Sequence, residues 1–370
     1  YNRISDGTAW RYLMGKGVKK MEKNRVSVIE GPGKACVEDA PMPEIRPSEV
    51  LLQNKVCALC TSDYQLWMGK RDNVPYHVAF GHENAGIVAK VGSEVKHIKE
   101  GDRVAVGVLG CGVCEDCKKG LNLKRCTHVV SSHIAGNADG YHGPHGASLY
   151  KAVEERKLFK VRDDVPLCHA AFLEPVATVV EGIERLRLSP GENVLVIGAG
   201  TMGNLNAQVA ARYGASVIIS EVSDKKLETL KQMGFRSLIN PSRENMKERL
   251  EEILKGDALD AIIVSVGAAN VYKQVFEIAP KCCRILLFAA NYPEPDWGIS
   301  ITPNMVHYNL WELIGTYTAS LPTFQKAMDF INKKELQLEL LIEEEYSMEQ
   351  VQEAFEAASR PDQYRVMLNL

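Results

Sequence analysis

The sequence predicts an α/β protein of two domains: a β-rich domain of short strands, then a doubly wound parallel sheet covered by helices. Three observations predict it. The chain has 370 residues, enough for two ordinary domains. From Arg25 to about Val165, short Val/Ile/Leu runs are broken by Gly, Pro and Asp, the texture of a compact barrel-like fold. From Asn193 to Tyr317, apolar runs alternate with amphipathic helical stretches, the mark of a parallel sheet under helices.

In the first region the strand candidates are RVSVIE, EVLLQNKVCALC, AGIVAKVG and GDRVAVGV. In the second they are NVLVIGAG, SVIISE, LDAIIVSVG, CRILLFAA and LWELIGTY, with SDKKLETLKQMG and RENMKERLEEILKG as helices between them. Two further helices are expected near Thr323 to Lys334 and near Met348 to Ser359, packed back on the first domain. No tandem repeat or low-complexity tract interrupts this order.

Hydrophobic residues make up 45% and charged residues 25%, which excludes a disordered chain, a coiled coil and a collagen-like repeat. Lys plus Arg number 44 and Asp plus Glu 47, a formal net charge of −3, so nothing electrostatic points to nucleic acid or an anionic membrane. No stretch reaches the roughly 18 consecutive apolar residues of a membrane-spanning helix. Residues 1–20 are polar and basic, with Arg3, Arg11, Lys16, Lys19 and Lys20 and no apolar core of a secretory signal. They read as an N-terminal extension ahead of Met21, and a cytoplasmic location is expected. In that compartment ten cysteines more often bind metal than pair as disulfides.

Asn193 to Gly203 reads NVLVIGAGTMG, so Gly198, Gly200 and Gly203 fit G-x-G-x-x-G. The pattern alone is weak, but a strand precedes it and a helix to about Tyr213 follows. The next strand, SVIISE, ends in Glu221. Gly198 allows the tight turn, Gly200 lets the backbone approach a pyrophosphate, and Gly203 lets the helix pack close to the sheet. Glu221 would accept hydrogen bonds from the adenosine ribose and repel a 2′-phosphate, which favours NAD over NADP. The plainer alternative is a strand-turn-helix with no ligand. Thr201, Met202, Thr178 and Gly267 complete the expected cofactor set.

Cys111, Cys114, Cys117 and Cys126 crowd one polar loop, CGVCEDCKKGLNLKRC. Four thiolates form a closed structural zinc site, though an iron–sulfur cluster also uses four cysteines. The loop has too few apolar residues to fold by burial, so a metal must organise it. A scattered set comprises Cys60 in Cys60-Thr61-Ser62-Asp63, His82 and Glu83 in GHENAG, and Glu174 before Pro175. Such donors can hold zinc with one open position. Singly, Cys60 is also readable as a buried thiol like Cys57, His82 as a core histidine and Glu174 as a helix start. Spacing alone does not join them.

From Met21 to Leu370 these motifs occur in the order found in one family, and the chain resembles the zinc-dependent medium-chain alcohol and polyol dehydrogenases. The carriers are Cys60 to Asp63, Gly81-His82-Glu83 with Gly86, Gly101 to Val104, the four-cysteine lobe, Glu174-Pro175 and Gly198 to Gly203. The resemblance implies a GroES-like catalytic domain over 21–176, a Rossmann domain over 177–317, and a C-terminal part of the catalytic domain over 318–370. It implies two zinc ions per chain and NAD in the cleft. Cys60, His82 and Glu174 would reach the catalytic zinc, with Glu83 a direct or alternate ligand and Asp63 orienting His82. Glu174-Pro175 looks like the sorbitol, threonine and butanediol branches.

The implied chemistry is reversible oxidation of a secondary alcohol by hydride transfer to NAD. Zinc would act as a Lewis acid, with Ser62 as first proton acceptor and Thr61 close by. Lys226 would contact the adenosine ribose. Two departures stand out. The spacing from Cys117 to Cys126 is one residue longer than usual, so a bulged loop is expected. Gln65 occupies the place of a proton-relaying histidine and cannot titrate, leaving ordered water, His77 or His97 as outlets. Two rivals are an inactive NAD-sensing protein on the same scaffold and a zinc-free quinone or enoyl reductase. The intact metal set argues against both.

Tyr64, Trp67, His133, Tyr141, His142, His145 and Trp297 are substrate-pocket candidates by position. The segment HIAGNADGYHGPHGASLYK suits a hydroxyl-rich substrate, and equally a solvated surface loop. Polyols, cyclitols, vicinal diols and 3-hydroxy amino acids are the expected substrate range. The expected partners are a small-molecule alcohol or ketone and further copies of the chain, as homodimer or homotetramer.

Overall fold

The computed structural model describes residues 23–71, 74–128, 140–290 and 300–370. The expected extension at 1–20 and the pocket candidates His133 and Trp297 lie outside them.

The β-rich part is built on a seven-stranded sheet. Its order is Ile342–Ser347, Arg365–Asn369, Glu49–Ala58, Glu83–Val91, Arg103–Val106 and Leu158–Lys160, with Tyr150–Glu154 also paired to Glu49–Ala58. A smaller sheet joins Lys34–Ala40, Asn24–Gly31 and Val78–Ala79. The alternation of Val50, Leu52, Val56 and Ala58, all buried, with more polar neighbours is why Glu49–Ala58 forms a strand at the centre. The C-terminal strands Ile342–Ser347 and Arg365–Asn369 return to this sheet and share it with the first half of the chain.

The second part is a six-stranded parallel sheet in the order Leu238–Ile239, Ser216–Ser220, Asn193–Ile197, Ala261–Val264, Arg284–Leu287 and Glu312–Gly315. Its inner strands read as apolar runs because both faces are covered. The chain runs outward from Asn193–Ile197 in one direction, then crosses to Ala261–Val264 and continues in the other. The crevice at the carboxyl ends of these two strands is the topological switch point, where such sheets bind ligands.

Strand boundaries are narrower than the apolar runs: LWELIGTY contributes only Glu312–Gly315, and SVIISE ends at Ser220, leaving Glu221 in the following turn. The expected helix at Thr323 starts earlier, at Leu321, because Ser320 and Thr323 cap one another and Pro322 fits the first turn; it ends at Asn332. The stretch from Met348 divides into a 3₁₀ turn, Met348–Gln350, and the helix Val351–Ala358. Among the described residues no helix is long and apolar enough to cross a membrane.

One helix connects the two parts, and a second braces the β-rich part from within. Leu173–Leu186 buries Leu173, Val176, Ala177, Val179, Val180, Ile183 and Leu186 in a core cluster that reaches from Val56 and Ala85 of the first sheet to Val194 and Val196 of the second. Val351–Ala358 places Phe355 against Trp67 (ring centroids 5.7 Å) and Phe80 (4.8 Å). Fully burying a side chain of this size contributes about 1.5–3 kcal/mol. Phe355 thereby fixes the short helix Thr61–Trp67, which carries the residues after Cys60.

Candidate active site and metal lobe

Strand register assembles the first cluster. Glu49–Ala58 pairs antiparallel with Glu83–Val91, with Ala58 opposite Glu83. Cys60, just past one strand, and His82, just before the other, therefore lie side by side. Arg365–Asn369 pairs on the opposite edge with Met367 against Ala58, which brings Arg365 to the level of Cys60. Ligand atoms of Cys60, His82 and Glu83 all lie within 4.8 Å of one another.

Asp63 holds this group in shape. Its Oδ2 accepts a hydrogen bond from Cys60 N at 3.0 Å, and its Oδ1 lies 3.7 Å from His82 Nδ1. Burial disfavours charge on His82, but Asp63 and Cys60 outweigh it and push its pKa well above the ordinary value. The position favours positive charge, as a cation site requires. Glu83 is fully enclosed. Arg365 Nη2 donates to its Oε1 at 2.7 Å, whereas Oε2 is buried without a hydrogen-bond partner. A thiol, an imidazole and a carboxylate with an unanswered oxygen are donors that fit zinc.

Glu174 stands outside the 4.8 Å set. It sits in the first turn of Leu173–Leu186, and Thr178 Oγ1 donates to its Oε1 at 3.2 Å. Its charge still acts on His82 and Glu83, so it faces the cluster at longer range. Thr178, expected at the cofactor, spends its hydroxyl on Glu174.

Arg365 escaped the sequence reading. The available signal was an arginine inside the apolar run YRVMLNL, since a guanidinium on a buried strand demands a buried anion. It also touches Met202 Sδ at 3.7 Å, so one side chain spans the metal-type cluster and the nucleotide helix.

Sγ atoms of Cys111, Cys114, Cys117 and Cys126 likewise lie within 4.8 Å of one another. Cys111 and Cys117 are 3.9 Å apart, close to the ~3.8 Å that a tetrahedron with Zn–S of about 2.3 Å requires. Amides of Val113 and Cys114 donate to Cys111 Sγ, and that of Cys111 to Cys126 Sγ, each at 3.4 Å, an arrangement that stabilises thiolates. The lobe fits a closed four-thiolate metal site.

At the switch point Gly198 has φ +89 and Gly203 packs so tightly that a Cβ would stand 1.9 Å from Gly198 O. Around Gly200, the N-cap of Thr201–Arg212, a Cβ would meet nothing within 4 Å. A turn at closest packing before an open helix N-terminus is the cradle a pyrophosphate fits. Gly267 sits on the facing loop after Ala261–Val264, and is exposed. Glu221 is buried; its Oε2 accepts from Ala199 N at 2.6 Å and its Oε1 from the amides of Val222 and Ser223 at 2.8 and 2.9 Å. Three backbone donors thus fix a carboxylate at the rim of this turn. Lys226 points elsewhere: its Nζ donates to Pro361 O at 3.3 Å.

In the helix Thr61–Trp67, Tyr64 OH donates to Thr61 Oγ1 at 3.3 Å, and Gln65 Oε1 and Trp67 Nε1 are buried without hydrogen-bond partners. Tyr141 is tied to Glu38 at 2.6 Å, and His145 to Gly143 O at 3.1 Å. His142 is held by the bridge of its backbone to Val78.

Residues 46–163 match the family model described as alcohol dehydrogenase GroES-like domain, and residues 201–333 the one described as zinc-binding dehydrogenase. The chain is 28% identical over 313 residues to an uncharacterized zinc-type alcohol dehydrogenase-like protein of Haemophilus influenzae, covering 84% of this chain and 87% of that protein. It is 27% identical over 340 residues to an L-threonine 3-dehydrogenase of Anaeromyxobacter dehalogenans, covering 90% and 94%. A zinc-binding dehydrogenase of Sinorhizobium meliloti 1021, solved bound to NADP, has the same fold at a TM-score of 0.82 and 22% identity, covering 94% and 99%. The two matched segments span more than half of the chain, which belongs to the zinc-dependent medium-chain alcohol dehydrogenase family. It is an oxidoreductase of the kind that acts on CH–OH groups.

Proposed function

We propose that this chain reversibly oxidises a secondary alcohol to a ketone with NAD, using two zinc ions. One is held by Cys60, His82 and a carboxylate, Glu83 or Glu174, and the other by Cys111, Cys114, Cys117 and Cys126. The catalytic part is 21–176 with 318–370, and the nucleotide part 177–317. The observation that carries the reading is the convergence of Cys60, His82 and Glu83 within 4.8 Å, beside the nucleotide cradle that Arg365 reaches through Met202.

When bound, zinc supplies Lewis-acid polarisation of the alcohol oxygen and the nicotinamide supplies the hydride acceptor. The chain's own residues do the rest. Asp63 holds the Cys60 backbone and faces His82, so thiol and imidazole keep a fixed separation. The Ser62 hydroxyl, next to Cys60, takes the alcohol proton, and Thr61 lies beside it. Gln65 passes a proton only by hydrogen bonding, so release runs through water rather than an imidazole there. Gly198 and Gly203 close the turn, and the amides of Thr201 and Met202, which open the helix, would hold the pyrophosphate.

NAD rather than NADP is supported by Glu221. Its buried carboxylate is fixed by three amides and, among the described residues, paired with no cation. A 2′-phosphate brought to it would meet an immobile like charge. Lys226 reaches the ribose only by leaving Pro361 O. Self-association into a dimer or tetramer is supported by the strand Glu312–Gly315, outermost among the described residues, whose outer edge is flanked by Tyr308, Leu310 and Tyr317 at 70%, 65% and 60% exposure.

Zinc content by atomic emission, with NADH and NADPH production over a panel of polyols, vicinal diols and hydroxy acids, tests the reading. Two zincs per chain and a higher kcat/KM with NAD are expected. Cys60→Ser should lose one zinc and turnover while the fold stays intact. Active protein carrying almost no zinc would sink it.

A further inference from the structure

Past the helix Thr61–Trp67 the chain doubles back on itself. Amides of Met68, Gly69 and Lys70 donate to Tyr64 O, Leu66 O and Gln65 O at 2.8, 2.9 and 2.9 Å, and Gly69 turns with φ +72. The reversal lays the half-buried Arg71 along the helix, where its Nη1 donates to Ser62 O at 3.2 Å. A guanidinium is thereby fixed at the residue that takes the alcohol proton, two positions from Cys60.

A carbonyl engages one of the five donors of a group that does not lose its charge at ordinary pH. Among the described residues no carboxylate pairs with Arg71. The nearby carboxylates are committed elsewhere: Asp63 to Cys60 and His82, Glu83 to Arg365, Glu174 to Thr178. Those acids repel an anion approaching the cluster; Arg365 is spent on Glu83, whereas Arg71, held at Ser62 O, is committed to no carboxylate among the described residues. Its planar fork matches a carboxylate or phosphate bidentately.

We infer that Arg71 is a specificity-determining residue that receives an anionic group of the substrate, a carboxylate or a phosphate. The inference rests on the alcohol-oxidation reading and narrows its substrates to hydroxy acids, hydroxy amino acids or phosphorylated polyols, ahead of neutral polyols and diols.

Matched pairs decide it: 3-hydroxybutanoate against its methyl ester, and sorbitol 6-phosphate against sorbitol, with the first pair reading carboxylate and the second phosphate. In the native enzyme kcat/KM for the anionic member should exceed that of the neutral one by about tenfold or more in at least one pair. Arg71→Met should collapse that ratio, mainly through KM, and Arg71→Lys should keep part of it. A native preference for the neutral member in both pairs overturns the inference. So does an Arg71→Met enzyme that loses both members of a pair equally, the sign of a purely structural tie to Ser62 O. Fluorescence titration of the NAD-loaded protein with the two anions reads the site without chemistry. Arg71-dependent binding with no turnover by the native enzyme would sink the oxidation reading and leave the anion site standing. Failure of both anions to bind would overturn the role of Arg71.

Discussion

Replacing Arg365 by methionine isolates the ion pair beneath the metal-type cluster. Arg365 Nη2 is 2.7 Å from Glu83 Oε1, with the two side chains 4% and 0% exposed. Methionine keeps an apolar stem in the space and removes the charge. Glu83 is then a buried carboxylate stripped of its guanidinium, with only the neighbouring His82 as a positive group, and its Oε2 already lacks a hydrogen bond. Removing one member of such a pair costs about 3–5 kcal/mol, most of it the exposed cost of burying the surviving charge. The double variant Arg365→Met with Glu83→Gln should recover most of that loss, because neutralising both members is often close to neutral. A coupling energy of about 2–3 kcal/mol is expected from the cycle. Native-state hydrogen exchange suits the measurement, since two domains need not unfold together. Amides of Glu83–Val91 and Arg365–Asn369 should open more easily in the single variant and regain protection in the double one. A single variant costing under about 1 kcal/mol, or a double variant no better than the single, would refute the reasoning.

Two further outcomes follow from particular contacts. Gly203→Ala brings a Cβ to within 1.9 Å of Gly198 O, so the turn or the helix Thr201–Arg212 must shift by about an ångström; displacement on that scale commonly costs on the order of a hundredfold in kcat/KM, and NADH binding within threefold of native would contradict it. Burial pushes the Lys151 ammonium down to about 8, where it donates to Pro144 O. The unfolded chain then holds the proton more tightly than the folded one, so stability should rise as pH climbs from about 8 towards 10.5, by about 3 kcal/mol at most. Urea titrations across that window should show a flatter rise in Lys151→Met, and an equal slope in both proteins would remove Lys151 as the cause.

Features written within a few residues of one another were legible in the sequence. The cysteine lobe is one: Cys111, Cys114 and Cys117 follow each other at helical and turn spacing, and Cys126 is brought back by the short 3₁₀ turn Leu123–Arg125. The glycine turn is another. Gly198 and Gly203 are five positions apart, and their steric demands belong to one strand-turn-helix. The alternation of apolar runs and amphipathic helices likewise announced the parallel sheet, because covering both faces of a strand leaves a continuous apolar signature.

Tertiary structure decided what depends on register between distant strands. Cys60, His82 and Glu83 meet because Ala58 pairs with Glu83, and Arg365 joins them because Met367 pairs with Ala58 on the other edge. No local propensity encodes those pairings; they are chosen by which apolar faces can be buried together, and a one-residue slip would turn each side chain to the opposite face. The same dependence moved individual roles. Glu174 fell outside the tight donor set because its helix approaches from a separate segment, and Lys226 turned to Pro361 because the C-terminal segment packs against its helix. The sequence by itself determined the fold class and the donors on offer. The folded chain decided which donors share a site, because that choice is made by long-range burial and strand register.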